Sequence, residues 1–398
     1  MVGEDLVARM AYAELDRSRL SANERTNLAD LGVSVVICCH NSSARLPETL
    51  AHLARQKVAS DVRWEVLVVD NASTDGTAQV AEQLWPKPSP APLRVVAEPR
   101  PGQAHARLRA LAEARYEFLS FIDDDNWVCQ DWVQIVHSEM LAHADVGVLG
   151  ASSCPALEVA PPDWFDGFKF LYAITPDVWQ AGDFTHRPGA IWGAGMAVRK
   201  SAWLRVRECD CPQLLTGRLK GSMAAGEDIE LCYQLRLAGW KLWYEPRLHF
   251  QHFLPAGRLC WDYAGRLLYG NGEAGARLGP YQLSLDLFDE RPRDPYKYGW
   301  LWTLLGAVRE LLRHPLALLA TWLYPKEGDP RVLTLARLRG QIRMLIRLRA
   351  TYKSHLWEIQ RFSQRVRGRG ASENSDRKSS PASADSEGRK AHAVPSIR

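Results

Sequence analysis

Three consecutive carboxylates in this chain could hold a divalent cation. Asp123, Asp124 and Asp125 directly follow Phe118–Ile122, an apolar and aromatic run that predicts a short buried strand. Adjacent like charges repel one another and cannot all be buried without compensation. A cation would relieve the repulsion, since carboxylate oxygens suit Mg²⁺ or Mn²⁺, and Mg²⁺ commonly binds one or two carboxylates together with substrate phosphates. A solvated acidic turn explains the triplet alone equally well.

The elements that must position this triplet alternate between strand and helix. Apolar runs predict strands over Val33–Cys39, Trp64–Val69, Leu93–Ala97 and Phe118–Ile122, separated by helices over Leu46–Gln56, Ala78–Leu84 and Ala104–Ala114. Such alternation is typical of βαβ units, which build a parallel sheet with right-handed crossovers. We therefore expect an α/β fold, with a mostly parallel, Rossmann-like sheet flanked by helices.

Polar residues follow three of these strands, where ligands of such sheets bind. Asn41 comes after the first strand, Asp70 after the second and the acidic triplet after the fourth. The chain has no Gly-x-x-x-x-Gly-Lys-Ser/Thr motif, and no Gly-x-Gly-x-x-Gly follows the first strand. A nucleotide bound at this edge would therefore be held by a metal and by side chains.

The regular pattern breaks from Val146, and residues 155–192 are rich in aromatic side chains. Most aromatic residues between positions 155 and 192 fit core packing, but a few could form a stacking platform for a sugar ring. We assign Trp192 and its neighbour Gly193 to acceptor binding. Beyond them we predict a strand over Ile191–Val198 and a helix over Gly226–Gly239 with acidic residues in its first turn. Two further strands are expected over Leu242–Glu245 and Leu248–Phe253.

Composition and charge narrow the class of protein. The 398 residues are 46% apolar and 24% charged, with a net charge of +4, which is typical of a globular protein and does not suggest a nucleic-acid partner. The first 27 residues lack the apolar core of a signal peptide. None of the eight cysteines forms a Cys-x-x-Cys pair, so we expect reduced thiols and a cytoplasmic protein.

Several motifs together resemble the family 2 glycosyltransferases of the GT-A fold. The matching segments occur in the family's order and are Ser34–Asn41, Glu65–Thr77, Phe121–Asp125, Gly193–Lys200, Gly226–Asp228, Tyr244–Pro246 and His252. One departure is Cys38-Cys39, where the family usually has proline-threonine or a similar pair. The resemblance implies an inverting, metal-dependent transfer of sugar from a nucleotide-diphosphate donor.

The same resemblance implies a nucleotide-binding set consisting of Cys39, Asn41, Asp70, Arg107, Asp123 and Asp124. Asp70 would accept hydrogen bonds from the base, and Asn41 or Cys39 would line the base pocket. Arg107 matches an arginine that contacts the nucleotide, although a surface-helix role would also explain it. Asp123 would approach the ribose or the metal.

The resemblance also implies the metal ligands and the catalytic base. Asp125 matches the metal-binding carboxylate, and His252 matches a histidine that completes the metal site, which would hold Mg²⁺ or Mn²⁺. Asp228, with Glu227 beside it, matches the general base that removes the acceptor hydroxyl's proton. Without the family spacing, Asp228 could merely stabilise a helix dipole, and His252 could be an ordinary strand histidine.

The last third of the chain is apolar, aromatic and basic. Tyr298–Val308 and Leu316–Tyr324 are rich in tryptophan and tyrosine, and neither reaches the roughly 20 residues of a spanning helix. A helical pattern after Arg331 interleaves arginines with leucines and isoleucines. Two interpretations fit equally well: peripheral association with an anionic membrane, or a helical subdomain packed on the catalytic part with a solvated basic face.

We therefore divide the chain into an N-terminal arm (1–30), a nucleotide-sugar-binding half (31–150), an acceptor-binding and catalytic half (151–285), a helical extension (286–366) and a disordered basic tail (367–398). The predicted reaction transfers a sugar from a UDP-, GDP- or dTDP-sugar to a saccharide or lipid-linked acceptor in cell-surface polysaccharide synthesis, at the inner face of the plasma membrane. The alternatives are a metal-dependent nucleotidyltransferase on a similar sheet and an inactive carbohydrate-binding homologue.

Overall fold

A nine-stranded mixed sheet forms the centre of the structure, a computed structural model. It describes residues 30–187, 191–215, 223, 225–289, 299–313, 315, 319, 321, 323 and 326–379. The strand order is β3-β2-β1-β4-β8-β6-β9-β5, with β7 paired to β9. Almost all of the N-terminal arm lies outside the described residues.

The first half of the sheet is parallel, as the alternating pattern predicts. Its strands are β1 (Val33–Cys39), β2 (Trp64–Asn71), β3 (Leu93–Glu98) and β4 (Phe118–Ile122), and its helices are α1 (Leu46–Ala54), α2 (Thr77–Leu84) and α3 (Gln103–Glu113). Successive residues of a strand point to opposite faces. Val36 of β1 accordingly packs on the α3 side, whereas Val35 and Ile37 pack on the α1 side. Burial on both faces explains the continuous apolar composition of the strand.

The second half of the sheet is mixed. It contains β5 (Asn126–Val128), β6 (Val146–Leu157), β7 (Gly182–Asp183), β8 (Met196–Arg199) and β9 (Lys241–Leu254), together with α4 (Trp132–Ala142), α5 (Phe165–Phe168), α6 (Lys200–Glu208) and α7 (Glu227–Leu237). Strand β8 runs antiparallel to both β4 and β6, whereas β6 and β9 are parallel. The α/β class with a mostly parallel sheet is confirmed.

Two predicted strand boundaries were wrong. The strand expected over Ile191–Val198 covers only Met196–Arg199, because the preceding residues form a turn that includes Gly195 at a φ of 74°. The two strands expected between residues 242 and 253 are one strand, β9. Its pairing with β6 shifts register between Ala151 and Ser152, and this irregularity accommodates the Pro246 region that appeared to separate two strands.

The described residues of the C-terminal third include the helices α8 (Trp261–Phe288), α9 (Trp300–Leu312), α10 (Pro330–Leu348) and α11 (Tyr352–Ser379). A Cβ added at Gly272 of α8 would lie 2.0 Å from the Arg337 carbonyl oxygen, so glycine permits the close crossing of α8 and α10. Tyr281 of α8 and Phe362 of α11 belong to the same core as the sheet. These contacts of α8, α10 and α11 are those expected for a helical subdomain that packs on the catalytic part.

Two expectations about this region can be compared with the structure. Helix α11 runs to Ser379, past residue 367, where the sequence predicted a disordered tail to begin. Residues 380–398 lie outside the described part of the chain. Within the described part, none of the helices combines the length and the apolar character needed to cross a membrane.

Candidate active site

A cleft of about 1250 Å³ opens at the carboxyl ends of β1 and β4. Its walls come from the ends of these two strands, from the first turn of α7, from the end of β9 and from one side of α8. The sequence-predicted site residues that line it are Cys39, Asn41, Arg107, Asp123, Asp124, Asp125, Trp192, Glu227, Asp228 and His252. Residues far apart in the sequence therefore meet in one cavity.

Asp125 and His252 lie opposite each other because β5 and β9 are antiparallel neighbours. Asn126 of β5 is the register partner of His252, and the Phe253 backbone N–H donates to the Asp125 carbonyl at 2.9 Å. These pairings place the His252 Nε2 atom 3.5 Å from Asp125 Oδ1. The other carboxylate oxygen of Asp125 accepts from Arg258 at 2.9 Å.

The His252 ring is oriented by a backbone carbonyl. Its Nδ1 atom lies 2.7 Å from the Tyr172 carbonyl oxygen, which can only accept, so the Nδ1 position carries the proton. The Nε2 atom, on the other side of the ring, then faces Asp125. Metal-ligating histidines commonly show this arrangement, with the second ring nitrogen donating to a carbonyl.

The cleft floor concentrates negative charge. Burial, together with the neighbouring charge of Asp125, raises the pKa of Asp123 to about 6. For Asp125, burial also favours the protonated form, but His252 and Arg258 outweigh it and lower the pKa below the ordinary carboxyl value. Asp125 is therefore the ionised member of the pair, whereas Asp123 titrates near neutrality.

These donors fit Mg²⁺ or Mn²⁺ as part of a site completed by substrate. Within the described ranges, no group of three or more His, Cys, Asp or Glu side chains is arranged to hold a metal ion. Asp125 and His252 supply an oxygen and an imidazole nitrogen on the same side of the cleft. Two protein ligands with phosphate oxygens and water are a normal coordination set for such cations.

Asp228 is fixed at the start of α7 with its carboxylate on the cleft. Its Oδ2 atom accepts from the Gly193 backbone N–H at 2.6 Å, and its Oδ1 atom accepts from the Ile229 N–H at 2.8 Å. These two N–H donors define the orientation of the carboxylate. The acidic first turn, which could have served only the helix dipole, thus also contributes to the cavity wall.

Arg107 is a buried cation between the two halves of the cleft. It is 4% exposed, its guanidinium lies 5.6 Å from the centre of the Phe121 ring, and its Nη1 atom is 3.7 Å from Glu227. Burial disfavours the charge, but Glu227 and Asp228 raise the pKa of Arg107 above its usual value. Within the part of the chain that the structure describes, Nη1 makes no hydrogen bond. Arg107 can therefore donate to an anionic ligand, and the surface-helix alternative is wrong.

The nucleotide half of the cleft is built by the loops after β1 and β2. Asn41 adopts a φ of 51° and accepts from the Thr74 N–H at 2.8 Å, which ties the two loops together. The buried Cys39 lies at the end of β1, and burial raises the pKa of its thiol well above the ordinary value. Asp124 is bound by Arg45 at 2.6 Å, so its carboxylate is already neutralised by a protein cation.

Gly193, which was predicted to bind the acceptor, does not itself line the cleft, and neither does Asp70. The Asp70 Oδ1 atom accepts from the Ser73 N–H at 3.2 Å, which closes the turn after β2, and the residues lining the cavity include its neighbour Asn71 instead. The Asn71 side chain donates to the Arg100 carbonyl at 2.6 Å and accepts from the Gly102 N–H at 2.8 Å. Base recognition by Asp70 thus stays a prediction.

An aromatic wall lies beside Asp228. Trp192 is stacked on Trp179 with ring centres 5.0 Å apart, and Trp179 packs edge-on against Tyr244. Trp192 is only partly buried and lines the cleft. A rigid indole of this kind can stack against the apolar face of a sugar ring.

Comparison with known proteins identifies the family of the domain that carries the first part of this cleft. Residues 34–189 match the model of glycosyl transferase family 2. The succinoglycan biosynthesis protein ExoM of Rhizobium meliloti (strain 1021) is 24% identical over 251 residues, which are 62% of this chain and 75% of ExoM. Residues 34–189 therefore form a glycosyl transferase family 2 domain. The sequence-level resemblance is confirmed.

Further similar proteins are glycosyltransferases. The poly(ribitol-phosphate) β-N-acetylglucosaminyltransferase TarS of Staphylococcus aureus (strain Mu50 / ATCC 700699) is 29% identical over 154 residues, 36% of this chain but only 26% of TarS. The crystal structure of S. aureus TarS 1-349 with UDP gives a TM-score of 0.46 at 16% identity, covering 85% of this chain and 91% of that one. A mannosyltransferase from Pyrobaculum calidifontis, solved with GDP-Man and Mn²⁺, gives 0.45 at 18% identity, covering 85% and 86%.

Two cleft residues of this glycosyltransferase were missed from the sequence. Arg258 follows His252 by six residues in a short turn, and no local pattern distinguishes it from the other surface arginines. Asn71 was overlooked because it stands beside Asp70, which matched the family motif. A signal existed for Asn71, since it is a polar residue at the carboxyl end of a central strand.

Gly193 is expected to be irreplaceable in this glycosyltransferase. An added Cβ would lie 2.2 Å from Arg107 Nη2 and 2.9 Å from the Asp228 Cβ, so one of the two must move. Because a displacement of about 1 Å can cost on the order of 100-fold in rate, Gly193→Ala should lower kcat/KM at least about tenfold. The control is Gly167→Ala, whose added Cβ meets nothing within 4 Å. Equal rates for the two variants would show that the Arg107–Gly193–Asp228 contact has no role in catalysis.

Proposed function

We propose that this glycosyltransferase moves a sugar from a nucleotide-diphosphate sugar to a hydroxyl of a saccharide or lipid-linked acceptor, with inversion at the anomeric carbon and with Mg²⁺ or Mn²⁺. The observation that carries the proposal is that Asp228, Arg107 and the Asp125–His252 pair line the same cleft. The reaction needs a base for the acceptor and positive charge for the leaving diphosphate, and the cleft supplies residues for both.

The diphosphate would lie on the side of the acidic triplet. A divalent cation held by Asp125 and His252 would stabilise the negative charge that develops on the leaving phosphates. Arg107 donates to the same anion from the opposite wall. Arg258 already bonds Asp125 at 2.9 Å, so it can hold that carboxylate in position and can turn toward phosphate oxygens when the cation binds.

The acceptor would enter on the Trp192 side. The indole stacks on the acceptor ring, and the Asp228 carboxylate takes the proton of the attacking hydroxyl. The Gly193 N–H donates to this carboxylate at 2.6 Å and keeps it directed into the cleft. A direct displacement with one base inverts the configuration of the transferred sugar. Participation of ExoM in succinoglycan biosynthesis supports a cell-surface polysaccharide as the product for this chain as well.

The two alternatives fit the cleft less well. A nucleotidyltransferase has no use for a carboxylate base beside a tryptophan wall, and a binding protein has no use for a base at all. The carboxylate of Asp228 is held by two N–H donors, and it interacts electrostatically with the Arg107 guanidinium. This arrangement favours catalysis over binding alone.

A panel of UDP-, GDP- and dTDP-sugars, tested by thermal shift with and without Mn²⁺, examines the proposal. A ligand that binds the native state raises the melting temperature, and at a concentration about 100 times Kd it adds roughly 2.7 kcal/mol to the free energy of unfolding. We expect one nucleotide class to stabilise the protein, and to do so more strongly with Mn²⁺. Stabilisation by none of the donors in either condition would contradict the proposal.

A further inference from the structure

Helix α9 carries apolar side chains on two neighbouring faces. One face, with Trp300 and Leu304, packs against Met344, Leu345 and Leu348 of α10. The other face presents three exposed leucines, which are Leu301 at 51%, Leu305 at 46% and Leu312 at 63% exposure. A helix that only packs on a subdomain needs one apolar face. The second apolar face of α9 therefore indicates a further binding partner.

The three exposed leucines form one continuous stripe. At 100° per residue, positions 301, 305 and 312 fall within an arc of about 40° on the helix surface. We call these three residues the leucine stripe. Beyond α9, Leu319 and Leu323 are also more than half exposed, at 53% and 54%, and they are four residues apart in the next helical stretch.

The neighbouring helix supplies positive charge. Helix α10, which packs on α9, exposes Arg339, Arg343 and Arg347 around Ile346, itself 51% exposed, and Arg349 is exposed directly after its last residue. Residues 300–366 contain twelve Lys and Arg against four Asp and Glu, whereas the whole chain has a net charge of only +4. The rest of the chain is therefore acidic on balance, and the positive charge is concentrated where the leucines are exposed.

We propose that the leucine stripe inserts into the interface of an anionic lipid bilayer, with the exposed arginines of α10 at the headgroups. Apolar side chains combined with basic ones are the chemistry that such a surface recognises. A second copy of the chain would instead bring two strongly positive helical regions together, which charge repulsion opposes. The proposal rests on this surface alone and does not depend on the reaction in the cleft.

The position of α8 connects the surface to the cleft. This helix lines the cavity with Arg266 and Asn271, and its Gly272 lies against α10. A bilayer that holds α9 and α10 would therefore fix the height of the cleft above the lipid. An acceptor anchored in the same bilayer would reach Asp228 without leaving the membrane.

Sedimentation of the full chain with vesicles tests the proposal. The vesicles are phosphatidylcholine alone or with about 30% phosphatidylglycerol, a fraction sufficient to give a negative surface potential. The test variant is Leu301→Ser/Leu305→Ser/Leu312→Ser. The matched control is Leu84→Ser/Leu204→Ser, two leucines of the catalytic part that are 50% and 39% exposed. We expect the test variant to bind anionic vesicles at least about tenfold more weakly than the wild type and the control.

A second variant separates charge from apolar contact. Arg339→Gln/Arg347→Gln/Arg349→Gln leaves the leucine stripe intact, and it should lose the preference for anionic over neutral vesicles. Melting temperatures of all variants, with and without a stabilising nucleotide, verify that the catalytic part is folded.

Three results would overturn the proposal. The first is a wild-type protein that does not bind anionic vesicles, and the second is a serine variant that binds them as the wild type does. The third is a wild-type dimer in analytical ultracentrifugation that the serine variant abolishes, which would assign the stripe to contact between two copies.

Discussion

Asp228→Asn is expected to reduce turnover by about 100- to 10,000-fold, the usual contribution of a positioned general base. Asparagine has the same shape but cannot take a proton from the acceptor hydroxyl. Its single oxygen can still accept from one of the two N–H groups that bind Asp228, so the loss of stability should be about 1 kcal/mol. Donor binding should change little, because the predicted metal ligands Asp125 and His252 lie just before β5 and on β9, whereas the Asp228 carboxylate accepts from Gly193 and Ile229. Steady-state rates and donor affinity measured on the same preparation distinguish these effects.

A matched control for this variant is Glu48→Gln. Glu48 also lies in the first turn of a helix, where it pairs with His52, so its amide variant removes a helix-dipole interaction of the same kind. The control should retain normal turnover. A normal rate for Asp228→Asn would exclude Asp228 as the base and return it to a capping role.

Asp125→Ala should weaken metal-dependent donor binding at least about 100-fold, because loss even of a partner that orients a metal ligand commonly costs 10- to 100-fold in affinity. The substitution removes the oxygen that faces His252 and frees Arg258 from its ion pair. Binding measured without metal should fall much less. Calorimetric titration of the stabilising nucleotide, with and without Mn²⁺, gives both affinities.

Two companion variants guard against a trivial loss of folding. Asp125→Asn keeps the shape and one acceptor for Arg258, and it should show the same loss of metal dependence with a smaller loss of stability. Glu139→Gln removes a carboxylate from the Arg247 ion pair outside the cleft and should bind donor normally. An Asp125 variant with unchanged metal-dependent affinity would remove this residue from the metal site.

Much of the fold could be predicted because local and global preferences agree in it. Strand β1 and strand β4 have the predicted bounds, since continuous apolar runs with polar ends are unambiguous in a parallel sheet. The acidic triplet and Asn41 reach one cleft because the carboxyl ends of parallel neighbours share one edge. The order of the family motifs predicted that Asp228 and His252, which are distant in the sequence, belong to the same site.

The failures have a common cause, which is that sequence patterns do not report long-range contacts. The ion pair between Arg258 and Asp125 spans more than a hundred positions, and no spacing rule predicts it. Strand β9 was divided in two because Pro246 is a strand-breaking residue, and only its pairing with β6 shows how the irregularity is absorbed. The second apolar face of α9 also became visible only when its packed face was known.

Fluorine NMR of protein labelled with 5-fluorotryptophan most directly tests whether metal, nucleotide and acceptor side share one cleft. The Trp192 resonance, among those of fifteen tryptophans, is assigned with Trp192→Phe, and that of the exposed Trp357 on α11 with Trp357→Phe. Paramagnetic Mn²⁺ broadens nearby nuclei, and Mg²⁺ serves as the diamagnetic reference. We expect Mn²⁺ with the stabilising nucleotide to broaden Trp192 and to spare Trp357, and we expect Asp125→Ala to abolish the effect. A Trp192 resonance that stays sharp while Mn²⁺ and nucleotide are bound would contradict the single-cleft account.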